Sequence, residues 1–428
     1  MTKTTNTKIS PKINLFSAVL VHASVEIPFF IFPVVVLLVG DDIFQNFEFG
    51  WIGLGVLGTV GTLAVGLPSP FFGTLSDKYR RGSMMALSLV LGSLGALIIG
   101  LAGNSIATML LGIVLLGLGV SLYHPPGLSW VSIGLDDPAK RGSSPNLNRI
   151  LAIHGIGGTI GAAIGPLSVY FLIDTISWRE IYLMWSIPLA AIALGFWILV
   201  GRHESNSNSS FSSKRANVAP HPDASEKTLN SNNTTVLIIF SFMLAMSLTR
   251  GMITFILSPF LIEEKAFQTG QAAFYVGFST LLGSIGQLVG GYLGDKYSER
   301  IVLSFSAALQ VVVLAGIYIA DVQSILFIFY ILLGMATAIF WPATNSLVAK
   351  SATHRGKAFG WFMLIANVIG ALGPVIDGIL LSIDPDSYLL IFCLAGFSAI
   401  CAFICMLFLR KTEKRIAAVP YYESILPE

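Results

Sequence analysis

The chain of 428 residues is 54% hydrophobic and only 11% charged, with a mean hydropathy of +0.78, where soluble domains carry roughly a quarter charged residues. That composition places it in a lipid bilayer, and a formal net charge of +2 gives no reason to expect a nucleic-acid partner. The three cysteines, Cys393, Cys401 and Cys405, all fall in the last apolar run and read as small packing residues, forming neither a disulfide framework nor a zinc site.

A spanning helix needs about 20 apolar residues. With glycine, proline and charge clusters as punctuation, the first half of the chain offers six such runs, at 13–39, 50–73, 83–102, 106–134, 146–173 and 179–201. The second half offers six more, at 234–262, 271–294, 300–320, 323–350, 357–381 and 387–410. The expected plan is therefore an N-terminal tail over 1–12, a six-helix bundle over 13–201, a linker over 202–233, a second bundle over 234–410 and a C-terminal tail over 411–428. The linker is rich in serine and asparagine and reads as solvated and disordered. The first apolar run is too long for the core of a cleaved signal, so the N-terminus is expected to be retained.

Placing the N-terminus in the cytoplasm puts 22 of the 25 basic residues on the cytoplasmic side, as the positive-inside rule requires. Arg179 and Lys265 fall on the other side and Arg250 falls within a span. Both termini are then expected inside a cell membrane that the chain crosses many times.

The two halves are related. Gly73-Thr-Leu-Ser-Asp-Lys-Tyr, between the second and third runs, returns 218 residues later as Gly291-Tyr-Leu-Gly-Asp-Lys-Tyr. Gly117, Tyr123 and Pro125 of the fourth run reappear as Gly334, Phe340 and Pro342 of the tenth, at an offset of 217. Each copy holds an even number of spans, so both start on the same side and form parallel repeats.

Six plus six helices and the G-x-x-x-D-K loop after the second and eighth resemble the major facilitator superfamily. The all-α fold of two pseudo-symmetric bundles follows from that resemblance. Here Gly73, Asp77, Lys78 and Arg81 are kept, and Arg80 stands where the superfamily has a glycine. His22-Ala-Ser-Val-Glu26, Tyr123-His124-Pro125-Pro126-Gly127, Arg141-Gly142, Gly157-Gly158 and Gly165-Pro166 are similar to landmarks of its fosmidomycin-resistance-like, drug-efflux members. The resemblance implies a cytoplasmic gate formed by Gly73, Asp77, Lys78 and Arg81 and by the copy at Asp295 and Lys296. In that gate Asp77 meets the start of helix eleven near Arg355 and Gly356. Because Glu299 stands where the first loop has Arg81, the first gate is expected to be the stronger.

An ionisable side chain in the hydrocarbon core costs about 2.5–3.5 kcal/mol on insertion scales and marks a functional candidate. Glu26 lies near mid-membrane in the first helix, where a carboxyl is less costly to bury neutral than charged, as a proton-coupling site requires. His22 is one turn away on the same face and is placed to relay a proton. Arg250 sits at comparable depth in the seventh helix and needs an anion, for which Glu26, Asp377 and the substrate are the candidates. His124 either caps carbonyls freed by the two following prolines or lines the path, and His154 reads as a packing histidine. Tyr123, Trp341, Asn345, Asn367 and Gln287 are further polar or aromatic candidates, each equally readable as glue between helices. His22, His124 and His154 lack the spacing of a zinc site, so no metal is expected, and no nucleotide loop or H-E-x-x-H motif points to catalysis or a cofactor.

The reading is a monomeric secondary transporter that moves a small-molecule substrate by alternating access, not an enzyme. Proton-coupled antiport in the efflux direction is the first expectation; proton-coupled uptake of an organic anion is the second. A receptor with a transporter fold is the alternative of a different class.

Overall fold

A computed structural model describes residues 11–44, 50–134, 146–198, 233–351 and 354–409. The tails apart from Pro11 and Lys12, the Arg141-Gly142 landmark and all of the expected linker except Asn233 lie outside the described residues; Asn233 already begins a helix. Pro11 and Lys12, assigned to the N-terminal tail, likewise begin the first helix.

Twelve helices among the described residues are long and apolar enough to cross a membrane. In chain order they are α1 Leu15–Ile43, α2 Gly50–Lys78, α3 Arg81–Gly100, α4 Ile106–Ser132, α5 Leu147–Leu172 and α6 Trp178–Phe196. The second half supplies α7 Leu237–Glu263, α8 Thr269–Lys296, α9 Glu299–Ile319, α10 Gln323–Lys350, α11 Arg355–Ile383 and α12 Tyr388–Phe408.

Three of these spans are interrupted where proline or a freed carbonyl permits it. In α1 the helix stops at Phe29 and restarts at Phe32, a few residues beyond Pro28, where a kink is expected from sequence. Pro33 explains the position: at the start of a helical segment its missing N–H is one of the donors left unpaired anyway. α2 restarts at Ser69 after Pro68. In α11 the break falls at Ala371, whose carbonyl accepts a 2.7 Å hydrogen bond from the Thr59 hydroxyl of the other half. A backbone group released inside the bilayer is thereby paired, as it must be. α4, by contrast, remains helical through Pro125 and Pro126.

Lipid tails are as apolar as leucine, so close packing and not water exclusion holds such helices together. The sequence meets this with small residues along the two seams between the halves. On the α2/α11 seam, Gly73 lies against Gly356 and Gly360, and Gly360 lies against Ser69. On the α5/α8 seam, Gly277 lies against Leu167 and Gly291 against Ala152 and Asn148.

Two buried clusters bridge the halves at opposite ends. One joins Leu128, Leu147 and Leu151 to Phe242, Met246, Phe340 and Phe359, on the face that carries the repeated basic loops. The other joins Val35, Val36, Trp51 and Leu54 to Met252, Phe255 and Phe260, toward the opposite face. A cavity of about 260 Å³ lies between them, lined by both halves.

Candidate functional site

The cavity wall from the first half is a hydrogen-bonded group of titratable side chains. Helical spacing stacks His22 and Glu26 on one face of α1, and both are buried. His22 Nδ1 lies 3.1 Å from the carbonyl of His154. A carbonyl only accepts, so Nδ1 carries the hydrogen, and His22 Nε2 is protonated only in the imidazolium. That Nε2 is 3.6 Å from Glu26 Oε1, and His124 Nε2 reaches the same oxygen at 2.9 Å. One carboxylate oxygen thus faces two imidazoles from different helices, an arrangement in which a proton can be held at several neighbouring atoms.

The support behind this group is packed and polar. The His22 ring stacks on both Tyr123 and His154, with centroids at 4.9 Å and 4.7 Å, and those two rings are themselves 6.0 Å apart. Tyr123 donates a 2.7 Å hydrogen bond to the Ala18 carbonyl and sits 2.8 Å from His154 Nε2. With its single hydrogen directed at the carbonyl, Tyr123 accepts from His154. Gly158 of α5 makes room for His22, since a Cβ there would come within 2.5 Å of Nε2.

The wall from the second half is chemically different. Arg250 is half-buried and faces the cavity. It donates a 3.2 Å hydrogen bond to Asn367 Oδ1 and lies 6.0 Å from the centre of the Trp341 ring. Gln287, Gln310 and Asn345 complete this wall, and the side-chain oxygens of Gln287 and Asn345 are buried without a hydrogen-bond partner in the protein.

Several expectations are corrected here. Glu26 is not the ion-pair partner of Arg250: its close partners are His124 and His22. Asp377 does not pair with Arg250 either, since neither of its oxygens has a hydrogen-bond partner. His124 lines the cavity and its Nε2 meets Glu26. Tyr123, a candidate for substrate or ion pairing, is fully buried behind His22 and is absent from the cavity wall. Trp341, Asn345 and Asn367 do line the cavity. Gln310 was missed, although the signal used for Gln287, an amide deep in an apolar helix, applies equally to it.

The donor atoms of His22, Glu26 and His124 lie within 4.8 Å of one another and could hold a cation, a set that replaces the imagined histidine triad. In the structure these atoms face one another, and His124 Nε2 lies at hydrogen-bond distance from the carboxylate.

The loops that repeat in sequence form two latches on the basic face. Asp77 accepts hydrogen bonds from the backbone N–H groups of Gly356 at 3.1 Å and Lys357 at 3.0 Å, at the N-terminus of α11. Arg81 lies 3.5 Å from the same carboxylate and donates to Ser129. Asp295 does the same at the N-terminus of α5, accepting from the N–H groups of Asn148 at 3.0 Å and Arg149 at 3.1 Å and from Asn148 Nδ2 at 2.9 Å. Each of the two carboxylates thus meets two backbone N–H groups at the start of a helix in the other half. Glu299 pairs with Lys350 and accepts from Ser346 and from Asn148, whose Nδ2 also donates to Asp295. Lys78 is exposed, and Lys296 lies over Tyr292 and Tyr297 of its own segment. Arg355 adds a hydrogen bond across the halves to the Ser132 carbonyl.

The comparisons with known proteins agree with this architecture. The "Fosmidomycin resistance protein" of Escherichia coli (strain K12) is 22% identical over 368 residues, which cover 85% of this chain and 84% of the relative. The "Benzoate transport protein" of Acinetobacter baylyi is 22% identical over 363 residues, covering 77% of this chain and 76% of that one. The crystal structure of the human organic anion transporter MFSD10 (TETRAN) superposes with a TM-score of 0.65 at 15% identity, over 93% of this chain and 100% of that one, a likeness of fold. The family model described as Major Facilitator Superfamily matches residues 15–284 and 239–423. With two related six-helix halves, paired latches and a cavity shared between them, the chain belongs to the Major Facilitator Superfamily, the secondary transporters that move small solutes by alternating access.

Proposed function

We propose that the chain is a proton-coupled transporter of a small organic solute in the cell membrane, with its basic face toward the cytoplasm. The observation that carries the proposal is the contact of Glu26 with both His124 and His22 on the cavity wall. A carboxylate bonded to imidazoles can take up or release a proton without leaving a bare charge in the bilayer. The same group faces the cavity that a solute must occupy. Proton and solute can therefore influence each other's binding directly.

Efflux by antiport is the first reading, supported by the similarity to the fosmidomycin resistance protein. It requires competition: the solute binds the ionised cluster, and a proton displaces it. Arg250 supports a second reading. No carboxylate among the described residues pairs with it; its hydrogen bond goes to an amide oxygen. An anion held there would be repelled by ionised Glu26 and favoured once Glu26 is neutral. Anion and proton would then bind together and travel the same way, as a symporter of an organic anion does.

The sign of proton movement separates the two. Purified protein in vesicles is loaded with fosmidomycin or benzoate, and pH is followed on the side that receives the compound. Antiport makes that side alkaline, and symport makes it acid. Glu26→Gln is expected to remove the pH change while solute exchange continues. A pH change of unaltered size in that variant takes Glu26 out of the coupling role.

A further inference from the structure

Asp377 is an ionisable group that the transport site does not use. It lies in the second segment of α11, Leu372–Ile383, and is fully buried. Neither of its carboxylate oxygens has a hydrogen-bond partner. An ionised carboxylate in that condition is strongly unfavourable.

Its position on the helix gives the burial a meaning. Gly373 packs against Gly251 and Met252 of α7, in the same half. Pro374 lies against Gly55 and Gly58 of α2, and Gly378 against Trp51 of α2, in the other half. Asp377 is four residues after Gly373 and three after Pro374, so it stands between those two faces, in the crevice where the halves meet. It is on the opposite-face part of the seam, away from the latches.

The Tyr388 phenol, at the start of α12, lies close enough to interact with the charge of Asp377. The facing segment of α2, Gly50–Gly66, has no titratable side chain. The next ionisable group outward on α7 is Glu263, which accepts a 2.5 Å hydrogen bond from Tyr388 at the start of α12. Glu264 and Asp41 lie close enough to Glu263 to interact with its charge. Asp42, beside Asp41, is occupied by Arg179. Inward, Arg250 is beside Gly370, about 10 Å along α11 at 1.5 Å per residue, and is bonded to Asn367.

We propose that Asp377 is a second proton-binding site, separate from Glu26, that controls the seam on the opposite face. The seam closes only over the protonated acid, and parting it exposes the carboxyl to water on that side, where it ionises. The proton is taken from and returned to the same compartment, so it sets the pH at which the gate opens and adds nothing to the transport stoichiometry. The proposal rests on alternating access and not on Glu26 as the coupling group.

Hydrogen exchange on the purified full chain, without solute and from mildly acidic to mildly alkaline pH, tests it. After correction for intrinsic exchange, opening of the Gly50–Gly66 and Leu372–Ile383 segments is expected to rise with pH. The limit for release of one proton is about tenfold per pH unit. Asp377→Asn, permanently neutral, is expected to give a flat, protected profile. Asp377→Leu, which removes the polar group altogether, is expected to give the same, so the result does not hang on one variant folding. A seam that opens equally at every pH in the native chain overturns the proposal and leaves alternating access standing. An unchanged pH profile in both Asp377 variants also overturns it. So does protection at fixed pH that is lost when sodium is replaced by choline, since the site would then hold a metal cation.

Discussion

The two walls of the cavity descend from one duplicated sequence and have been given different chemistry. The first half presents groups that change charge, His22, Glu26 and His124, with Tyr123 and His154 behind them. The second half presents a charge that does not change, Arg250, among amides that bear none. A guanidinium keeps its proton throughout the physiological range, so only one wall can respond to a proton gradient. Under the proposed function the difference amounts to a division of labour, with the first half sensing the proton and the second holding the solute.

Variants can break or sharpen this contrast. After the loss of coupling expected of Glu26→Gln, the next largest effect belongs to Arg250→Ala. A hydrogen bond to a charged group contributes about 1.5–3 kcal/mol, so binding of benzoate is expected to weaken about ten- to a hundredfold. Neutral compounds should lose much less, as read by thermal shift of the purified protein. Equal losses for anions and neutral compounds would assign Arg250 to holding α7 against α11.

The latches are where the halves are expected to behave alike. Asp77→Asn and Asp295→Asn each remove a carboxylate from a helix N-terminus, an interaction of about 0.3–1 kcal/mol. Both should loosen the basic-face seam by a similar few-fold increase in hydrogen exchange at residues 355–358 and 147–150. A much larger effect at Asp77 would restore the hierarchy that the sequence of the loops implies.

Tyr123→Phe should have the smallest effect on transport, although it costs more stability than loss of a latch. It removes the bond to the Ala18 carbonyl and the acceptor for His154, worth about 1–3 kcal/mol when partners are left buried. Melting temperature is expected to fall with solute flux retained. A loss of proton-driven flux as deep as that of Glu26→Gln would move Tyr123 from support into the proton path.

Much of this was legible from sequence, and the exceptions have a common cause. Twelve apolar runs, the duplicated loops and the stacking of His22 on Glu26 follow from lengths, offsets and helical spacing, all local quantities. The contact of His124 with Glu26 depends on how α4 is rotated against α1, which no spacing along one helix determines. The absence of a Glu26–Arg250 pair depends in the same way on how far apart the halves stand. Sequence offset compares Glu299 with Arg81 and gives no sign of its ion pair with Lys350 of α10. Pro28 and Pro33 show the limit within one helix: both were visible, and only the restart at Phe32 shows where the chain breaks.

The glycine-lined seam between α2 and α11 has a mechanical consequence. Backbone lies on backbone there, with Gly55 near the Pro374 carbonyl at one end and Gly360 near the Ser69 carbonyl at the other. With so many glycines at the contact, few side chains interlock, and the surfaces can roll apart with few rotamers to reset. A single methyl group then acts as a wedge with a direction. Gly55→Ala would prop open the end remote from the latches, and Gly360→Ala the latch end, so the same small substitution can trap the machine at either limit of its stroke.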